Sequence, residues 1–252
     1  MRILVLGGTS EARQLCEQLA QRPALSVTVS LAGRTAAPAK MAVAVRTGGF
    51  GGAAGLAAYL AEQRIDLLID ATHPYAAIIS ANAAAAAAHA KVRILALRRP
   101  PWVAQVGDRW TEVADMREAV PALGATPRRV FLALGRKDLT PFEAAPHHHY
   151  VIRSVDHVTP PLALPHAEYI TARGPFGESE ERALLHMNRI DIVVAKNSGG
   201  DATQGKIAAA RALGLAVIMP RRPPLPDVPA AARVADVLAA LDHADPAALR
   251  GV

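Results

Sequence analysis

The chain has 252 residues, 51% of them apolar and 4% aromatic, with a formal net charge of +6 and a single cysteine, Cys16. That length fits two domains of a little over a hundred residues each, and one cysteine excludes an internal disulfide. The arginines and lysines are dispersed and aromatics are too scarce for a base-stacking platform, so a small polyanion fits better than nucleic acid or a membrane surface.

The chain opens on Ile3-Leu4-Val5-Leu6 with no basic leader or cleavage site before it, and it reads as cytoplasmic. Apolar runs then alternate with helical segments. Strands are expected at 3–6, 27–31, 43–45, 67–69 and 94–97, and helices at 11–21, 53–63 and 76–89. This alternation marks a parallel sheet with helices on both faces. The alanine run 83–88 is flanked by Ser80, Asn82 and His89, and alanine gains little from lipid, so it reads as a helix packed close to a sheet. Cys16, between Leu15 and Leu19, reads as a small buried apolar residue.

Arg98-Arg99-Pro100-Pro101-Trp102 breaks the rhythm, a helix follows at 116–123, and a second break comes at Pro127. The boundary is expected between these breaks, giving an N-terminal Rossmann-like domain over 1–125 and a C-terminal one over 126–252. The second half repeats the scheme, with strands at 130–134, 150–152, 169–171, 192–195 and 216–219 and helices at 178–187, 206–213 and 230–241. The proline-rich stretch 160–165 cannot be a central strand and reads as a surface loop. The fold class is α/β: two Rossmann-like domains, each a parallel sheet flanked by helices, with the active-site cleft between them.

Five loops carry the chemistry. Gly7-Gly8-Thr9-Ser10-Glu11-Ala12 joins the first strand to a helix, where unpaired N–H groups and the helix dipole favour a phosphate. Glycine occupies only the first two of the six positions, which departs from Gly-x-Gly-x-x-Gly, and the alternative is a tight turn with Thr9 or Ser10 as N-cap. After the second strand, Ser30-Leu31-Ala32-Gly33-Arg34-Thr35 has no carboxylate for a ribose 2′-hydroxyl. Arg34 is placed for a 2′-phosphate instead, so NADPH is expected over NADH; a solvated loop arginine is the alternative. Thr47-Gly48-Gly49-Phe50-Gly51-Gly52 adds flexible backbone near the same cofactor. Asp70-Ala71-Thr72-His73-Pro74-Tyr75-Ala76 follows an apolar strand, and Pro74 keeps His73 extended, so His73 and Tyr75 are expected to face the cleft. The alternative for His73 is a ring bonded to a neighbouring carbonyl.

The fifth loop, Lys196-Asn197-Ser198-Gly199-Gly200-Asp201-Ala202-Thr203-Gln204-Gly205-Lys206, gathers two ammonium groups, a carboxylate, hydroxyls and amides at one glycine turn. A connector needs no such density, although a loop capped by Asp201 or Thr203 is the plainer reading. Leu134-Gly135-Arg136-Lys137-Asp138 and Thr171-Ala172-Arg173-Gly174-Pro175-Phe176 bring further bases to strand ends. Arg136, Lys137, Arg173, Lys196 and Lys206 are therefore candidates for a carboxylate-binding wall. His147-His148-His149 reads as a surface loop, because adjacent residues point different ways, and no metal site is expected.

Four segments together resemble the precorrin-6A reductase family of cobalamin (vitamin B12) biosynthesis: Gly7 to Glu11, Asp70 to Ala76, Gly174-Pro175-Phe176, and Lys196 to Gly200 with Lys206. The resemblance implies two Rossmann-like halves without the usual glycine fingerprint, and hydride transfer from NADPH to precorrin-6A, reducing one macrocycle double bond to give precorrin-6B. It also accounts for the basic balance, since the tetrapyrrole bears many carboxylates. The candidate cofactor residues are Gly7, Gly8, Thr9, Glu11, Ser30, Arg34, Thr47, Gly48, Thr72, His73 and Pro74. The candidate substrate residues are Tyr75, Arg136, Lys137, Arg173, Gly174, Lys196, Asn197, Ser198, Gly199 and Lys206. Asp201, Lys196, Lys206 and His73 are the candidates for orienting the substrate or protonating it. The expected partners are the tetrapyrrole and neighbouring enzymes of the pathway, with no nucleic acid and no membrane. The alternatives are a reductase of the cobalt complex in the anaerobic pathway, a double-Rossmann nucleotide-sugar enzyme, and a non-enzymatic NADPH-binding redox sensor. Arg34 argues against the nucleotide sugar, and the polar 196–206 loop against the sensor.

Overall fold

The computed structural model describes residues 1–33 and 40–244, so Arg34 lies outside the described residues. In chain order the elements are β1 (Arg2–Leu6), α1 (Ser10–Leu19), β2 (Ser26–Leu31), β3 (Ala44–Thr47), α2 (Gly52–Glu62), β4 (Leu67–Asp70), α3 (Ala77–Ala90) and β5 (Arg93–Leu97). There follow β6 (Arg109–Val113), α4 (Met116–Ala122), β7 (Arg129–Ala133), β8 (His149–Ser154), β9 (Ala167–Thr171) and α5 (Glu178–Met187). The chain continues with β10 (Ile192–Ala195), α6 (Gly205–Ala212), β11 (Ala216–Pro220), β12 (Ala230–Ala231) and α7 (Val234–Ala244). The proline-rich stretch 160–165 lies outside every strand, as expected.

Two units result, Met1–Pro100 with Pro223–Val252, and Pro101–Arg222. The first holds a sheet in the order β12-β5-β4-β1-β2-β3 and the second a sheet in the order β6-β11-β10-β7-β8-β9; every pairing is parallel. In both, winding runs outward from a central pair, β1 beside β4 and β7 beside β10. That pair is the topological switch point, and ligands of such sheets bind beyond its carboxyl ends.

This division does not coincide with the expected boundary at 125/126. Residues 101–125 go with the second unit because β6 pairs with β11, Trp110 opposite Val217, and because Met116, Ala119 and Leu123 enter that unit's core. The tail returns to the first unit because Ala230 and Ala231 pair with Ala96 and Leu97 of β5. Val234, Val237 and Leu241 of α7 then pack with Leu15, Cys16 and Leu19 of α1. Only the first break, at Arg98 to Trp102, marks a change of unit. The strand β6 goes unread in the sequence because an edge strand with polar Arg109, Thr111 and Glu112 lacks an apolar run. The helix expected at 230–241 is likewise shortened at its start by the two-residue β12.

Each sheet buries both faces. In the first unit α1 and α7 cover one face; on the other, Leu56 and Leu60 of α2 pack with Ala83, Ala86 and Ala87 of α3. Each buried leucine contributes roughly 1.5–3 kcal/mol, and the alanines let α3 approach closely. No helix among the described residues is long and apolar enough to cross a membrane. Cys16 is fully buried as expected, and burial first, then Glu17, pushes its thiol up to about 11. His148 departs from the expected surface loop. It is fully buried, its Nδ1 accepts from Arg128 N at 3.2 Å, and burial holds its pKa below the usual range, with His147 and Arg128 adding to the effect. His149 opens β8, so the triplet straddles a strand start.

Candidate functional site

The switch point of the first unit brings together the loops after β1 and β4. Gly7 is required by packing, since a Cβ there would lie 2.8 Å from Val29 Cγ2. Gly8 has φ +115° and open space beside it, which suits backbone approach by a phosphate. Thr9 caps α1: its Oγ1 accepts from Ala12 N at 3.1 Å and donates to Ala71 O at 2.9 Å, tying the two loops. Thr9 is therefore the N-cap of α1, as the plainer reading expects. Glu11 accepts from Ser10 Oγ at 2.9 Å and from Arg99 Nη1 at 2.8 Å. Its carboxylate thus holds a guanidinium next to the helix N-terminus.

On the β4 side, the buried Asp70 carboxylate accepts from Thr72 N at 3.2 Å and Thr72 Oγ1 at 2.7 Å, with Ser80 Oγ 3.4 Å from the same hydroxyl. These bonds set the turn that carries His73, Pro74 and Tyr75. His73 Nδ1 accepts from Tyr75 N at 3.3 Å, and the two rings lie 5.7 Å apart. At the ends of β2 and β3, Gly48 N donates to Leu31 O at 2.9 Å, and Thr47 is exposed. Arg46, which sequence reasoning passed over, donates to Gly48 O at 2.7 Å and Gly49 O at 2.8 Å, with Ser30 Oγ 3.4 Å away.

In the second unit the loops after β7 and β10 meet in the same way. Lys196 Nζ donates to Asp138 Oδ2 at 2.7 Å, with both side chains about a quarter exposed. Gly199 and Gly200 have φ of 65° and 70°, a turn in which glycine is unstrained. Trp102 clamps this turn: its backbone N–H donates to Asn197 Oδ1 at 2.8 Å, its carbonyl accepts from Asn197 Nδ2 at 2.9 Å, and its indole N–H donates to Gly200 O at 2.9 Å. Nothing in the local sequence pointed to Trp102, because its partners lie nearly a hundred residues away. Asp201 is exposed, while Ser198 Oγ lies 3.4 Å from Lys196 O.

The expected basic wall is only partly assembled. Arg136, Lys137 and Arg173 are exposed at strand ends, but Lys206 is 5% exposed and turned inward, so it does not belong to that wall. Its Nζ donates to Thr203 O at 2.6 Å and lies 5.3 Å from the Trp102 ring. Nearby, Arg153 and Glu181 form a buried bidentate pair, with Nη2 to Oε2 at 2.9 Å, and the guanidinium stacks 3.7 Å from Phe176. Gly174 packs against that same Phe176 ring. Among the described residues, no group of three or more His, Cys, Asp or Glu is placed to hold a metal ion.

Two doubly wound parallel sheets with anion-ready turns at their switch points put the protein in the Rossmann-like α/β class. The family model described as Precorrin-6x reductase CbiJ/CobK matches residues 2–242, and the chain belongs to that family. It is 56% identical to a precorrin-6A reductase of Sinorhizobium sp over 96% of this chain and 93% of the relative. It is 30% identical to a cobalt-precorrin-6A reductase of Salmonella typhimurium over 88% of this chain and 87% of the relative. A solved structure described as CobK precorrin-6A reductase superposes with a TM-score of 0.94 at 47% identity, covering 100% of both chains.

Proposed function

We propose that the protein reduces one macrocycle double bond of metal-free precorrin-6A to give precorrin-6B, with NADPH as reductant. The observation that carries this reading is the identity of 56% with a precorrin-6A reductase against 30% with a cobalt-precorrin-6A reductase, each over most of both chains. The residues present fit the cofactor. Gly8 leaves open space at the N-terminus of α1, and the end of β2 carries Ser30 where a carboxylate would select NADH.

When bound, NADPH supplies the hydride, and one proton completes the reduction. The Gly7-Gly8-Thr9 turn would take the diphosphate. Ser30, Arg34, Thr47 and Gly48 would hold the phosphorylated ribose, and Thr72, His73 and Pro74 would be further contacts of the cofactor. Exposed Arg136, Lys137 and Arg173, with Lys196, Asn197, Ser198 and Gly199, orient the carboxylates of the tetrapyrrole. Asp201 or Lys196 delivers the proton. Lys206 supports the loop through Thr203 O and touches no ligand.

Anaerobic single-turnover reduction tests this reading, with NADPH absorbance followed against metal-free precorrin-6A and against its cobalt complex. Faster oxidation with the metal-free form, and with NADPH over NADH, is the expected outcome. Preference for the cobalt complex would assign the protein to the anaerobic route instead.

A further inference from the structure

We propose that Arg46 is a determinant of cofactor choice, its guanidinium receiving the 2′-phosphate of NADPH at the carboxyl ends of β2 and β3. This rests on the NADPH reading above and adds a residue that the end of β2 alone does not reveal.

The register places Arg46 of β3 directly opposite Ser30 of β2, the position that meets the adenosine ribose in a sheet of this winding. A guanidinium has five N–H donors. In Arg46, Nη1 donates to Gly48 O at 2.7 Å and lies 3.4 Å from Ser30 Oγ, and Nη2 donates to Gly49 O at 2.8 Å. Nε–H and one of the two Nη2–H groups have no acceptor among the described residues. Unused N–H donors on a planar guanidinium suit the oxygens of a phosphate.

The group is also held still before any ligand arrives. Its Cζ sits 3.8 Å from the Phe50 ring centroid and 5.1 Å from that of Tyr59, so rings and carbonyls together fix the plane. Charge supplies the second argument. Arg99, Arg153 and Arg211 are each paired with a carboxylate, Glu11, Glu181 and Asp108, whereas Arg46 has no carboxylate partner among the described residues. A half-buried cation neutralised only by dipoles attracts a dianion more strongly than a paired one does.

The test uses ligand fragments, so it does not depend on turnover. Binding of 2′,5′-ADP and of 5′-AMP is titrated calorimetrically for the wild type, Arg46→Met, Arg46→Lys and Arg34→Ala. The expected result is that Arg46→Met loses about 10- to 100-fold in 2′,5′-ADP affinity while 5′-AMP changes less than about threefold. Arg46→Lys, which keeps the charge but not the fork, should fall between. If Arg46→Met does not fold by circular dichroism, Arg46→Lys decides. Equal losses for both ligands would mean that Arg46 only shapes the Gly48-Gly49 turn and would overturn the proposal, as would a preference that only Arg34→Ala removes. A wild type that does not prefer 2′,5′-ADP overturns the NADPH reading itself, a result distinct from failure of Arg46 alone.

Discussion

Lys206 gives the sharpest link between burial and a measurable quantity. It is 5% exposed, and burial first, then the Arg153 charge, push its ammonium down from 10.5 to about 8, with Glu181 opposing. In the unfolded chain a lysine keeps its proton to near pH 10.4. Between about pH 8 and 10.5 this lysine therefore binds more protons in the unfolded state than in the native state, and its contribution to stability rises with pH. A fall of about 2.5 in pKa, at about 1.4 kcal/mol each, comes to about 3.5 kcal/mol in full, of which about 3 kcal/mol falls between pH 7 and 10.5. Lys206→Met removes the titrating group while keeping most of the volume. Losing the bond to Thr203 O adds a pH-independent offset, so the informative quantity is how the stability difference changes with pH. Urea unfolding of both proteins from pH 7 to 10.5 should show wild type gaining about 3 kcal/mol on the variant, with unchanged denaturant slopes. A difference that stays flat over that range would refute the buried, depressed lysine and return Lys206 to the solvent-facing wall.

Four further outcomes are expected. Arg34→Ala should weaken NADPH by about 10- to 150-fold and NADH far less, since one charge-assisted bond to phosphate is worth about 1.5–3 kcal/mol; equal weakening in a fluorescence titration would remove Arg34 from the 2′-phosphate. Gly205→Ala should destabilise the second unit by about 1–3 kcal/mol in urea unfolding, because the new Cβ would lie 2.4 Å from Phe176 O, a backbone atom that cannot swing aside. Lys196→Ala should raise the tetrapyrrole dissociation constant and leave NADPH binding nearly unchanged, while Asp201→Asn should slow single turnover if Asp201 delivers the proton. Selective loss of NADPH binding in Lys196→Ala would instead assign the 196–206 loop to the cofactor.

Much of this protein was legible in its sequence because the signals are local. Apolar runs such as Ile3 to Leu6 and Ile192 to Ala195 announce buried parallel strands, the glycine pairs announce tight strand-to-helix turns, and Ala83 to Ala88 announces a closely packed helix. Four short segments together were enough to carry the family resemblance, since loops at strand ends keep their residue types close in sequence. Tertiary structure alone decided the rest. Whether 230–231 joins β5, whether Trp102 clamps Asn197 and Gly200, and whether Arg46 faces Ser30 all depend on pairings between distant residues. The inward turn of Lys206 is the clearest case. In the sequence it is one more base on a polar loop, and only the packing of Trp102, Phe176 and the Arg153–Glu181 pair around α6 takes its ammonium out of water. Local pattern sets which elements form; burial, which sums over the whole chain, sets where each charge ends up.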